Sequence, residues 1–238
     1  AEIAQIRELT DSGEIDGVVV SGTHHNDPRI SWLEEVGVPF ASFGRSWPAV
    51  TQGTRDFRWV DVDGAAGTSL ATEHALQVAG RNIAFLGWPS PSGTGDDRAR
   101  GWQEAMREAG AKGPRIAAVD SVAAGRLATQ ELLADAPGID AVICASDSLA
   151  IGAHMAAASA GKPELLIIGF DNTPAAAALG LSSIEQQPER VARSVLELLF
   201  GQCGNTVVPN PAPQDSQQRL IAPELIIRTP VILTSLEQ

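Results

Sequence analysis

Arg98 is the residue from which a chemical reading of this sequence starts. It lies in the stretch Arg81–Trp102, RNIAFLGWPSPSGTGDDRARGW. Ile83, Ala84, Phe85 and Leu86 form a short apolar run closed by Gly87, the pattern of a buried strand in a parallel sheet. The Pro-, Ser- and Gly-rich residues that follow read as loop. Asp96-Asp97 then offers a helix N-cap and a first-turn negative charge. That places Arg98 in the first turn of a helix, at the carboxyl edge of the sheet, where open α/β folds bind ligands. A planar guanidinium there, with Trp88 at the loop entrance, can grip a small polar molecule that has flat apolar faces. The competing reading is an ion pair of Arg98 with Asp96 or Asp97 and nothing more.

Other residues are weighed the same way. His24-His25 resembles a metal or catalytic pair, but no HExxH, CxxC or carboxylate at ligand spacing accompanies it. His24 is left as a loop histidine that hydrogen-bonds a ligand or simply faces solvent. His74 and His154 fall within helices and read as packing. Asp63, Asp147 and Asp171 all stand at strand ends, where they could bind a metal or accept hydrogen bonds from hydroxyls. Helix capping competes for Asp63 and Asp147. It competes less for Asp171, because Asn172 can supply the cap. There is no GxSxG elbow, no GxxxxGK[ST] phosphate loop and no GxGxxG after a strand. The chain has five tryptophans and no tyrosine. Trp32 and Trp102 lie in helices and read as core. Trp47 and Trp88 sit in loops just past strands, and aromatics in a polar cleft suit sugar rings, apolar on the face and hydroxylated at the rim.

The elements that must position these groups alternate along the chain. Residues 3–9 suggest a helix stopped near Ser12-Gly13, and Ile15–Ser21 a buried strand. Asp27-Pro28 caps a helix ending at Gly37, and Val38–Phe43 is the next strand. Arg58–Val62 is extended, and Asp63-Gly64 opens a helix to Ala79 with Leu70, His74 and Val78 on one face. After the central stretch come strand Arg115–Val119, helix Val122–Ala136, strand Ile139–Ala145 and an Ala-rich helix capped by Ser146-Asp147. Strand Glu164–Phe170, strand Ser182–Ile184 and helix Pro188–Phe200 follow. Val191, Val195, Leu198 and Leu199 of that last helix point inward. Residues 202–217 read as loop, Gln218–Thr229 as a final pair of strands, and the residues after Pro230 as a tail. The alternation implies parallel βαβ units. The same layout occurs before and after residue 80, so two similar α/β lobes are expected, their polar loops facing a shared ligand cleft.

At 238 residues and 44% apolar content the chain can bury a real core. A net charge of −12 argues against this chain holding a nucleic-acid backbone by itself. The only lysines are Lys112 and Lys162. No apolar run reaches membrane-spanning length. The N-terminus is an acidic amphipathic segment rather than a signal peptide. Cys144 and Cys203 make no disulfide framework, so a reducing cytoplasm is expected.

These stretches together resemble the effector-binding domain of the lactose-repressor (LacI-type) family of transcription regulators. They are IDGVVVSGT, GVPFASFGR, VDVDGAAG with ATEHAL, GRNIAFLG, the RxxGW of Arg98–Trp102, ASDSLAIGA, IIGFDNTP and finally IEQQPERVA. GTHHNDPR, FGRSW and FLGWP look most like the cellobiose- or oligosaccharide-responsive branch. The resemblance implies a type I periplasmic-binding-protein fold of two parallel-sheet lobes. Lobe one is expected to comprise residues 1–81 plus about 187–217, and lobe two residues 82–186 plus about 218–234.

By resemblance, Arg98 contacts the effector, Asp171 binds sugar hydroxyls and Gln186 is a polar hinge residue near the ligand. Ser146 stands where many members have Asn. Arg45 follows a lobe-one strand whose end faces the cleft; Trp47 and Trp88 lie against ring faces, and His24 is a further contact. No cofactor or metal is implied, and no enzymatic activity. The implied partners are a sugar effector, a second copy of the chain through the region Asn172–Leu181, and operator DNA through a headpiece. The family begins with a helix-turn-helix headpiece, a hinge helix and a strand–helix–strand unit. This sequence starts at what resembles the second effector-domain helix, so a fragment, or a lobe one short of strands, is expected. Two rivals are a solute-binding protein of a sugar transporter, which shares the fold, and a sugar-processing enzyme, for which no pair of carboxylates is fixed by the sequence.

Overall fold

The computed structural model describes residues 2–24, 26–45, 47, 57–201 and 217–229. His25, Ser46, Cys203, nearly all of the expected 202–217 loop and the segment from Pro230 onward lie outside the described residues. The first elements are α1 (Glu2–Asp11), β1 (Val18–Ser21), α2 (Pro28–Val36), β2 (Phe40–Phe43), β3 (Trp59–Val62) and α3 (Gly64–Val78). Then come β4 (Ile83–Gly87), α4 (Gly93–Glu108), β5 (Arg115–Ala117), α5 (Val122–Asp135), β6 (Ala141–Cys144) and α6 (Asp147–Ser159). The chain continues through β7 (Leu166–Phe170), α7 (Pro174–Ala178), β8 (Ser182–Glu185), α8 (Pro188–Phe200), β9 (Gln218–Ile221) and β10 (Glu224–Ile226). It divides into two compact units, Ala1–Val62 with Gln187–Ile221 and Asp63–Gln186 with Ala222–Gln238.

Unit one holds a parallel sheet in the order β1-β2-β3-β9. Its core gathers Val20, Leu33, Phe40 and Phe57, with Ile6, Ile30, Trp32 and Trp59 packed against them. Helix α2 begins as its sequence dictates: the Asp27 carboxylate accepts from Arg29 N, Pro28 follows, and Gly37 closes the helix in the left-handed conformation. Helix α8 buries the expected Val191, Val195, Leu198 and Leu199. Strand β1 is less buried than its apolar run suggests. It is the outermost strand of this sheet, so Val20 is buried while Val19 is 48% exposed.

Unit two holds a sheet in the order β10-β8-β7-β6-β4-β5. All its pairings are parallel except that of β10 with β8. Every residue of β4 and of β6 is buried, as short unbroken apolar runs in a sheet covered on both faces require. Helices cross closely here. A Cβ at Gly101 of α4 would stand 2.0 Å from Ala65 O of α3, and one at Gly152 of α6 would stand 2.2 Å from Val122 O of α5.

Three expectations are corrected. The boundary expected at residue 81 falls at 62, because α3 packs with unit two: its buried face is Ala65, Thr68, Ala71, Thr72 and Ala75. Small residues let α3 approach α4, where Thr68 Oγ1 donates to Arg98 O at 2.6 Å. The face carrying Leu70 and Val78 points outward. The final pair of strands is split between the units. β9 lies parallel to β3 and β10 antiparallel to β8, on either side of the break at Ala222-Pro223. Helix α4 starts at Gly93, capped by the Ser92 hydroxyl accepting from Gly95 N, so Asp96 and Asp97 are not the cap and Arg98 sits in the second turn.

Candidate functional site

Unit two brings Arg98, Asp171, Trp88, Ser146 and Gln186 together. β4, β6 and β7 are parallel neighbours, so their carboxyl ends and the loops beyond them share one edge of the sheet. Trp88 follows β4, Ala145 and Ser146 follow β6, and Asp171 follows β7. Arg98 reaches the same edge from α4.

Arg98 is 5% exposed. Its Nη1 donates to Ala145 O at 2.5 Å and to Asp171 Oδ1 at 3.4 Å. Its Cζ lies 3.6 Å from the centroid of the buried Phe170 ring and 5.3 Å from that of Trp88. A guanidinium taken this far out of water needs such partners to offset its desolvation. The nearby acids have employment of their own. Asp97 accepts from Ala65 N and Arg100, and Asp96 from Ser92 N and Arg115. Arg98 is therefore bound to the sheet edge, beyond a local pair on its own helix.

Asp171 has φ of +110° and Asn172 φ of +50°, consecutive left-handed positions without glycine. Gln186 Nε2 donates to Asp171 Oδ1 at 2.5 Å. Among the described residues, both hydrogen bonds to this carboxylate fall on Oδ1. Burial pushes the Asp171 carboxyl up to about 6; Arg98 and Gln186 pull it down, and the charges of Asp147 and Asp120 push it further up. The Trp88 indole nitrogen is buried and has no hydrogen-bond partner among the described residues.

Ser146 is the N-cap of α6, accepting from Leu149 N, and its hydroxyl donates to Asp120 Oδ1 at 2.5 Å. Asp147 is not the cap. It is 1% exposed and accepts from Thr173 N at 2.6 Å, Thr173 Oγ1 at 2.9 Å and Ser183 Oγ at 2.6 Å. Burial holds its carboxyl above the usual range against these donors. Asp63 does cap α3, accepting from Ala66 N.

In unit one, Arg45 follows β2. Its Nε donates to Asp61 Oδ2 at 2.7 Å and its Nη2 to Val62 O at 3.1 Å. Its guanidinium lies 4.8 Å from the Trp47 ring centroid. Each unit thus carries an Arg–Trp stack with an Asp partner at its strand ends. His24 is exposed, with Nε2 3.9 Å from Asp27 Oδ2.

The sequence reading did not single out Asp120 or Phe170. Asp120 was open to the strand-end argument that picked Asp171, since it follows β5. Phe170 carried no signal, because a strand-terminal Phe reads as core.

The chain matches the model of periplasmic binding proteins and the sugar-binding domain of the LacI family over residues 1–223. It is 30% identical over 204 residues to the HTH-type transcriptional regulator CelR of Thermobifida fusca, covering 82% of this chain and 59% of that protein. The solved structure of a LacI-family regulatory protein from Chloroflexus aggregans aligns with a TM-score of 0.82 at 36% identity, over 95% of this chain and 80% of that one. A CelR–cellobiose complex aligns with a TM-score of 0.77 at 26% identity, over 95% of this chain and 69% of that one. The chain spans 59% and 60% of the length of two curated relatives that it matches. Among the described residues, no helix is long and apolar enough to cross a membrane.

Proposed function

The chain belongs to the family of periplasmic binding proteins and LacI sugar-binding domains, and from that premise we propose that it is the sugar-sensing domain of a cytoplasmic, homodimeric transcriptional repressor. The observation that carries this is the buried Arg98 held beside Asp171 and over Trp88 at the strand ends of unit two. A cyclic sugar fits that chemistry. Trp88 covers an apolar ring face. Arg98 donates to ring or hydroxyl oxygens, and Asp171 Oδ2 accepts a hydroxyl. Ser146 and Gln186 complete the polar rim; Arg45, Trp47 and His24 are proposed as sugar-binding groups of unit one. A β-linked glucose oligosaccharide such as cellobiose is the effector this reading favours, since the similar CelR structure is a complex with cellobiose.

The chain binds its sugar without transforming it, and the region Asn172–Leu181 contributes to self-association. The relatives reported above are named as regulators, which favours this reading over a transporter's solute-binding protein. To act as a switch, the sugar must bind the operator-bound and free forms of the whole regulator with different affinity. The test is operator binding by the full-length regulator with and without saturating cellobiose. The reading expects a change of about 5–150-fold and recovery of the sugar unaltered. Unchanged operator affinity, or turnover of the sugar, contradicts it.

A further inference from the structure

Among the described residues, Arg228 makes no hydrogen bond to the groups just assigned to the sugar, yet it is tied to the backbone that presents one of them. It follows β10, and its guanidinium is shared between two acceptors: Nη2 donates to Asn172 Oδ1 at 2.6 Å and Nη1 to Leu181 O at 3.0 Å. Its own N–H donates to Ser182 Oγ at 3.0 Å. The other end of the Asn172 amide is also in use, Nδ2 donating to Glu185 Oε2 at 2.7 Å. Asn172 N donates to Ser183 Oγ at 3.0 Å, and that hydroxyl donates to the buried Asp147. Asn172 is thus clamped at its backbone and at both ends of its side chain, in a conformation that side chains rarely adopt (φ +50°). The residue before it, Asp171, is held at φ +110°. Two such positions in succession persist only when their surroundings over-determine them.

We propose that Arg228 is a positioning residue for the sugar site, holding Asn172 in its left-handed conformation and thereby aiming the Asp171 carboxylate at Arg98. The planar fork of an arginine suits this task, because one rigid group reaches both the Asn172 side chain and the Leu181 carbonyl. A lysine's ammonium is a compact point charge on a flexible stem without that planar fork, and it holds the two acceptors less firmly. The proposal rests on the reading of Arg98 and Asp171 as sugar-binding groups, and its test separates the two.

Cellobiose binding to the 238-residue chain is measured calorimetrically for wild type, Arg228→Met, Arg228→Lys, Asp171→Asn and the Arg228→Met/Asp171→Asn double variant. Arg228→Met is expected to weaken binding about tenfold in the wild-type background and to change it less than about twofold once Asp171 is Asn, because the two act as one unit. Arg228→Lys recovers only part of the loss. Asn172→Gly tolerates the positive φ but lacks the amide, and it is expected to reproduce Arg228→Met. This keeps the test intact should the arginine variants fold poorly. Losses that multiply in the double variant, or an Arg228→Met protein that binds as wild type, overturn the proposal.

A second readout needs no sugar: the carbon-13 titration of the Asp171 carboxyl. Arg98, Asp147, Asp120 and Gln186 act on this group, and burial is the largest cause of its raised value of about 6. If Arg228 positions the carboxyl, Arg228→Met frees it toward solvent and its midpoint falls toward 4. If Arg228 contributes only positive charge, the midpoint rises or stays, and the proposal fails. Absence of cellobiose binding in wild type with a fallen midpoint in Arg228→Met refutes the choice of sugar and leaves the positioning role standing.

Discussion

Arg98 Nη1 and Asp171 Oδ1 stand 3.4 Å apart although 73 residues separate them in the chain. The pair joins the second turn of α4 to the end of β7, across the strand that supplies Ala145. The contact is long for a charge-assisted hydrogen bond, and the same Nη1 also serves Ala145 O. Asp171 is therefore held near the guanidinium without being saturated by it, which is what a binding carboxylate requires.

The raised Asp171 value fixes a pH dependence. Its folded value of about 6 lies above the ordinary 3.8, so the folded chain binds the proton more tightly than the unfolded chain. Stability from this group is fully present below about pH 4 and is lost as pH rises through about 6. Relative to wild type, Asp171→Asn should gain stability across that window, by an amount on the order of 1–3 kcal/mol. Thermal unfolding of both proteins between pH 4 and 7 checks this; a difference that does not change with pH contradicts it. Affinity for a neutral sugar should rise over the same interval, as the carboxylate becomes an acceptor.

Asp147 shows how a buried acid can serve the scaffold. Three donors from Thr173 and Ser183 converge on it. Asp147→Ala leaves them unsatisfied in the interior and is expected to cost about 2–4 kcal/mol. Urea unfolding measures it, and a loss under about 1 kcal/mol would show that the cluster re-forms without the acid.

The α3–α4 crossing makes a steric prediction. A methyl group at Gly101 would meet Ala65 O at 2.0 Å and Thr68 Oγ1 at 2.4 Å, whereas at Gly138 nothing lies within 4 Å. Gly101→Ala should destabilise by at least about 1–3 kcal/mol, and Gly138→Ala should stay within about 0.5 kcal/mol of wild type. Because α4 carries Arg98, Gly101→Ala should also weaken sugar binding. Equal melting temperatures for the two variants would refute the close approach.

Much of this was legible in the sequence, for local reasons. The apolar run of β4, the Asp27-Pro28 start of α2 and the inward stripe of α8 each follow from periodicity or capping within a few residues. The errors came where two local signals competed or where a partner lay far away. Asp96-Asp97 reads as the cap of α4 in sequence, and only the fold shows that Ser92 caps it while Asp96 serves Ser92 N and Arg115. Asp147 reads as a cap in sequence, yet its partners Thr173 and Ser183 lie 26 and 36 residues on. The outward placing of Val19 follows from strand order, which no stretch of β1 encodes. Arg228 is invisible for the same reason, since its partner Asn172 is 56 residues away.

The most direct test of the central claim uses the tryptophan that lies over Arg98. Titration of the folded chain with cellobiose, longer cello-oligosaccharides and unrelated sugars, followed by tryptophan fluorescence, is run beside Arg98→Ala. The account predicts a saturable change with one sugar class, absent or at least about tenfold weaker in an Arg98→Ala protein that still melts cooperatively. A wild-type protein that responds to no sugar, or an Arg98→Ala protein that responds as wild type does, contradicts it.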